Sequence, residues 1–255
     1  MYLHRLLDYD GERSSVSNHE VGLMGYIDCD THVAESQQTW EYFDPKERHF
    51  RPIMNDGYWT VGEHLVQWPG PMQKHWSGPI FPGCDLVDID ARLRYMDDFG
   101  VDVHMMFSTW WLLYPTWSPG VEAAMYRSYN RWIAERTAGA EGRLRWAVMA
   151  PVRTMDRAFE EMEFGKANGA VSVFLLGLNH GMSLADPAMH PFYEKAQELD
   201  LAITVHVGNN LHDARRDPGS AMYRGVMVLP GSRRASWRLF PTCTVIARSS
   251  SWAFS

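Results

Sequence analysis

The sequence predicts an α/β protein built on a parallel sheet, and two observations carry that prediction. From residue 90 onward, apolar runs of strand length alternate with segments of helical period, the pattern of successive βα units. The unit occurs four times after an opening strand, so five strands are expected. A chain of 255 residues, 45% hydrophobic with 11 Trp, 11 Tyr and 11 Phe, has enough apolar material for one large core or two small ones.

The opening strand is read in "GYIDCDTHVAES", residues 25 to 36, where Asp28, Asp30 and His32 alternate and so are expected to share one face. Residues 36 to 90 leave the rhythm. Rich in Pro, Gly, Trp and His, they read as a long insertion after strand one, the kind of segment that serves as a lid or a subunit contact. "DARLRYMDDFG" then places Leu93, Met96 and Phe99 near one helical face and stops at Gly100 before the strand "VDVHMMF". The same order recurs in "SPGVEAAMYRSYNRWIAERTAG" with "LRWAVMAPV", in "MDRAFEEMEFGKANG" with "AVSVFLLG", and in "DPAMHPFYEKAQELD" with "LAITVHVG". These segments make up residues 1–230 as one domain, and residues 231–255 form an atypical basic tail. After Asp217 no acidic residue follows while five arginines do, and a shifted reading frame or an unnatural terminus is one expectation for that end.

Charge and cysteine content exclude several classes of partner. A formal charge of -7 argues against nucleic acid and anionic membrane surfaces and leaves small molecules as the expected partners. Cys29, Cys84 and Cys243 are odd in number and far apart, without disulfide or zinc-ribbon spacing, so a reducing cytoplasm is expected. No Gly-x-Gly-x-x-Gly follows a strand, which argues against a nucleotide enzyme.

The candidate chemistry sits at strand ends. Asp30 and His32 end the first strand, and a carboxylate with a neutral imidazole suits a divalent ion; alternatively the Asp ends the strand and His32 caps the next turn. His206 ends the fifth strand and, if it points inward, joins them as a third ligand; alone it reads equally as a satisfied core histidine. Trp110, Trp111, Tyr114 and Trp117 follow strand two and could wall an apolar substrate site or pack under the insertion. His180, after strand four, could reach the site or lie on the surface. His212 and Asp213 lie close to His206, whereas His190 and His104 read as structural.

Together "YIDCDTHVAESQQTWEYFD", "DIDARLRYMDDFGVDVHMMFSTWWLLYPT", "SYNRWIAERTAGAEGRLRWAVMAPV" and "DPAMHPFYEKAQELDLAITVHVG" resemble the amidohydrolase superfamily, in the branch of aminocarboxymuconate semialdehyde decarboxylase and related aromatic-acid decarboxylases. The resemblance implies a metal-dependent (β/α)8 barrel of the TIM type, here incomplete, with five to six βα units. It implies Asp30, His32 and His206 as ligands of a divalent ion, zinc or manganese, with His206 also the catalytic candidate; Trp110, Trp111 and His180 are the substrate-side candidates by their places after strands two and four. Relatives also use a His after strand six and an Asp ending strand eight, and no Asp, Glu or His follows Asp217. Three more units need on the order of 100 residues, yet 47 follow Gly208. The expected function is non-oxidative decarboxylation of a small aromatic or unsaturated carboxylic acid, with hydrolysis of an ester, lactone or amide as the alternative. A truncated, inactive metal-binding barrel is the third reading, and the resemblance also implies a homodimer to which the aromatic insertion is suited.

Overall fold

Five parallel strands form the main sheet, in the order in which the chain makes them. The computed structural model of the chain describes residues 26–55, 58–61, 64–66, 81–112, 116–206 and 245–247. The strands of the sheet are β1 (Tyr26–Val33), β5 (Val101–Ser108), β6 (Leu144–Met149), β7 (Ala170–Leu176) and β10 (Ala202–His206). A short β11 (Val245–Ala247) joins β10 antiparallel and extends the sheet to six. The sheet is curled, as half of a barrel. Apart from β11, the tail from residue 231 lies outside the described residues, as do Tyr114, His212 and Asp213.

Helices return the chain between strands, and each boundary has a local cause. In α1 (Ile89–Phe99) the Asp88 side chain accepts from the Ala91 N–H at 2.8 Å, and Gly100, at φ 67, ends the helix in the left-handed region. α2 (Pro119–Thr137) starts with Ser118 capping the Val121 N–H and Pro119 in its first turn. α3 (Met155–Ala167) brings Gly165 against β6 so closely that an added Cβ would lie 2.7 Å from Val148 Cβ. α4 (His190–Glu198) completes the set and carries His190 at its exposed start.

The inward face of α1 differs from the expected one. Arg92 and Met96, one turn apart, are buried, and Phe99 is 68% exposed. Arg92 is tolerated inside because it is fully engaged: it donates to Thr31 Oγ1 at 3.1 Å, to the His32 carbonyl at 3.4 Å and from Nε to His104 Nδ1 at 3.3 Å, and its guanidinium lies over the Phe81 ring. His104 is therefore a buried structural group, its pKa lowered to about 4 by burial and by the Arg92 charge.

The insertion has structure of its own. A 3-10 helix at Gln37–Tyr42 and a shorter one at Arg48–Phe50 precede β2 (Ile53–Asn55), β3 (Tyr58–Val61) and β4 (His64–Val66), which pair antiparallel. Trp40 and Trp59 from this segment are fully buried against the barrel strands' loops. Two short strands, β8 (Leu178–Asn179) and β9 (Met182–Ser183), form a hairpin after β7. Among the described residues no helix is long and apolar enough to cross a membrane, and Cys29 and Cys84 are free thiols.

Candidate metal centre

β1 and β10 are the first and fifth strands of the sheet, and four inter-strand steps of about 4.8 Å would hold them roughly 19 Å apart if it were flat. The curl removes that separation. His32 Nε2 lies 3.2 Å from His206 Nε2, His206 Nε2 lies 3.1 Å from Asp30 Oδ1, and Asp30 Oδ1 is 3.8 Å from His32 Nε2. One carboxylate oxygen and two imidazole nitrogens thus converge within 4.8 Å of one another at the C-terminal ends of parallel strands. Two imidazole nitrogens this close repel unless a proton or a cation lies between them, so the donor set fits a divalent ion of the zinc or manganese kind.

Asp28 does not join the group. The β1–β5 pairing slips between Asp28 and Thr31: Asp28 pairs with His104 and Thr31 with Met106, so three steps on β1 match two on β5. This bulge breaks the simple alternation expected from the sequence and gives Asp28 a different task. Its Oδ1 accepts from the Asp30 N–H at 3.0 Å, and its Oδ2 lies 4.0 Å from His104 Nε2.

Burial and the neighbouring His206 lower the His32 pKa to about 4, with Asp30 opposing. His32 is neutral at pH 7, as a ligand must be. Its Nδ1 lies 3.3 Å from the Ser108 carbonyl, which can only accept, so Nδ1 carries the proton and Nε2 presents its lone pair. The rings of Phe107 and Phe174 lie 5.5 and 5.9 Å from that of His206 and make an apolar floor.

The substrate-side candidates separate. Trp110 packs between Trp40, at 4.8 Å, and Trp59, at 5.1 Å, under the insertion. Trp111 packs on Tyr126 and lines a cavity of about 10 Å³, shared with Phe174, Glu122 and His180. The His180 side chain is buried rather than on the surface, in left-handed backbone at φ 50, with Nε2 2.6 Å from Glu122 Oε1. Arg153 holds the other Glu122 oxygen at 3.0 Å and donates to the Trp117 carbonyl at 2.7 Å, while the half-exposed Trp117 ring lies edge-on to His180.

Two carboxyls of this region were not singled out from the sequence. Glu122 stands alone in the apolar first turn of α2, and Glu35 follows "HVA" directly after β1. An acid at the edge of an apolar run, after a strand for Glu35 and in the first turn of a helix for Glu122, is the signal that could have marked both. Glu35 is 3% exposed, and its Oε1 accepts from the Ser108 hydroxyl, the Thr109 N–H at 3.1 Å and the Trp110 N–H at 3.4 Å. Burial nevertheless pushes its pKa up to about 7.

Comparison with known proteins gives a family and a fold. A family model described as "Amidohydrolase" matches residues 27–247. No curated protein matches the chain. Among solved structures, an amidohydrolase from Mycobacterium avium subsp. paratuberculosis K-10 superposes with a TM-score of 0.62 at 20% identity, over 76% of this chain and 63% of that one. A 5-carboxyvanillate decarboxylase from Sphingomonas paucimobilis gives 0.52 at 17% identity, over 78% and 57%. A dihydroxybenzoic acid decarboxylase from Polaromonas sp. JS666, with bound manganese and the inhibitor 2-nitroresorcinol, gives 0.50 at 21% identity, over 78% and 54%. The chain thus spans between about half and under two thirds of the length of these structures. At these identities they describe the fold.

Proposed function

The chain belongs to the amidohydrolase family, and on that premise we propose that it is a metal-dependent enzyme catalysing non-oxidative decarboxylation of a small aromatic or unsaturated carboxylic acid. The convergence of Asp30, His32 and His206 at the strand ends is the observation that carries this reading. These three residues would hold the ion, zinc or manganese, which when bound supplies a Lewis acid for the substrate's carboxylate and a neighbouring oxygen. Asp30 offsets part of the ion's charge. His206, held against Asp30 and packed on two phenylalanine rings, keeps its ligand nitrogen out of water.

We assign Trp111 and His180 to the wall behind the substrate: with Phe174, whose ring lies 5.9 Å from that of His206, they line a cavity of about 10 Å³, which has room for one water and not for a substrate. Trp110 supports the insertion through Trp40 and Trp59. Glu122 joins His180 to Arg153, one partner on each carboxylate oxygen, and so fixes the His180 ring beside Trp111. Two solved decarboxylases among the similar structures favour carbon dioxide release. Hydrolysis of a small ester, lactone or amide is the second reading, favoured by the family's description and by the M. avium amidohydrolase, the best superposed of the three.

The test is metal content and turnover measured together. Purified protein loaded with Mn2+ or Zn2+ is given a carboxylated phenol in one arm and a lactone or aryl ester in the other. Carbon dioxide release that falls away in His32→Ala and His206→Ala supports the proposal, and ester cleavage without carbon dioxide supports hydrolysis. A folded, monomeric chain that binds the ion and turns over neither would make it a metal-binding barrel without activity.

A further inference from the structure

We propose that Glu35 is a positioning residue for the metal centre, acting on His32 through the peptide bond between Ser108 and Thr109. The inference rests on the reading of Asp30, His32 and His206 as ligands. A trans peptide points its N–H and its C=O in opposite directions. On one side of this peptide the Thr109 N–H donates to Glu35 Oε1 at 3.1 Å; on the other, the Ser108 carbonyl receives His32 Nδ1 at 3.3 Å. The carboxyl, the peptide and the imidazole form one line.

The line is fixed at the carboxyl end. The Ser108 hydroxyl and the Trp110 N–H also donate to Oε1, so residues 108 to 110 are gathered on a single oxygen of a side chain that is 3% exposed. Oε2 is buried and among the described residues has no hydrogen-bond partner, so the donors of Ser108, Thr109 and Trp110 all fall on Oε1. A peptide held this way cannot rotate, and hydrogen bonds in series polarise one another. Its carbonyl therefore selects the His32 tautomer protonated on Nδ1 and aims the bare Nε2 at Asp30 and His206, as a carboxylate or carbonyl behind a ligating histidine commonly does. Arg92 restrains the same residue from behind by donating to the His32 carbonyl.

The experiment uses the full chain, 15N-labelled at histidine and backbone, with Glu35→Ala and Glu35→Gln as variants. Two-bond 15N–1H correlation spectra of the metal-free protein read the His32 tautomer, and competition with a chromogenic chelator reads Mn2+ and Zn2+ affinity. In the wild type His32 is protonated on Nδ1. In Glu35→Ala it becomes a mixture of tautomers and metal affinity falls about 10–100-fold. Glu35→Gln keeps the acceptor and the tautomer, and shifts the Thr109 amide proton and the His32 Nδ1 proton upfield together. A folded Glu35→Ala protein with the wild-type tautomer and affinity overturns the proposal. Should that variant not fold, Glu35→Gln decides: a Thr109 amide that moves while His32 Nδ1 does not overturns it equally. If the wild type binds neither ion, the metal-centre reading fails, and the tautomer spectra still decide the role of Glu35.

Discussion

Replacing Glu35 with Gln should change how the protein's stability depends on pH, by an amount and in a direction that burial dictates. Glu35 is displaced from 4.5 to about 7 because removing the carboxylate from water costs more than the donors from Ser108, Thr109 and Trp110 return. At about 1.4 kcal/mol per tenfold change, this is about 3 kcal/mol of pH-linked stability. The folded state binds the proton more tightly than the unfolded chain, so the contribution is fully present below pH 4.5 and is lost as pH rises through 7. Glutamine has the same shape and no such transition. Urea unfolding followed by Trp fluorescence at pH 5, 6, 7, 8 and 9, at fixed ionic strength, gives the wild-type minus Glu35→Gln difference. His32 and His104 titrate in both proteins and cancel. The difference should fall by about 3 kcal/mol between the acid and alkaline ends and then level. A flat difference would refute the burial argument. A difference that rises with pH would mean that the three donors outweigh burial and hold Glu35 ionised.

Other expectations are simpler to check. His104, lowered from 6.5 to about 4 by burial and Arg92, contributes stability that is present above pH 6.5 and lost as pH falls through 4, again about 3 kcal/mol. In His104→Asn the acid limb of the unfolding midpoint should flatten, and an unchanged limb would contradict the assignment. Removing a ligand by His206→Ala should weaken Mn2+ or Zn2+ binding beyond the 10–100-fold typical of outer-shell changes, with near-ultraviolet circular dichroism retained; wild-type affinity would exclude His206 as a ligand. Gly165→Ala pushes a methyl to 2.8 Å from Val148 Cγ2 and 2.7 Å from its Cβ, an overpacking worth about 1–3 kcal/mol. A denaturant midpoint equal to the wild type's would show that α3 moves away from β6 at no cost.

Most of the sheet was legible before any coordinates. "VDVHMMF", "AVSVFLLG" and "LAITVHVG" read as strands, and their described parts are β5, β7 and β10, because short apolar runs bounded by helix stops are decided locally. Residue chemistry also singled out Asp30, His32 and His206, and the structure brings their ligand atoms within 4.8 Å of one another. Less was visible where a side chain's role depends on a distant partner. Arg92 inside α1, Glu35 behind Ser108 and Glu122 under His180 read as surface charges by type, and each is buried because a group far along the chain satisfies it.

The sequence alone determined the order of the five parallel strands and the helices between them, since periodicity and caps act over a few neighbouring residues. The tertiary structure decided which residues meet. The β1 bulge sends Asp28 to His104 rather than to the site, and the curl of five strands closes a gap of roughly 19 Å to the 3.2 Å between His32 and His206. Strand register and sheet curvature are sums over many contacts between distant segments, and no local pattern records them.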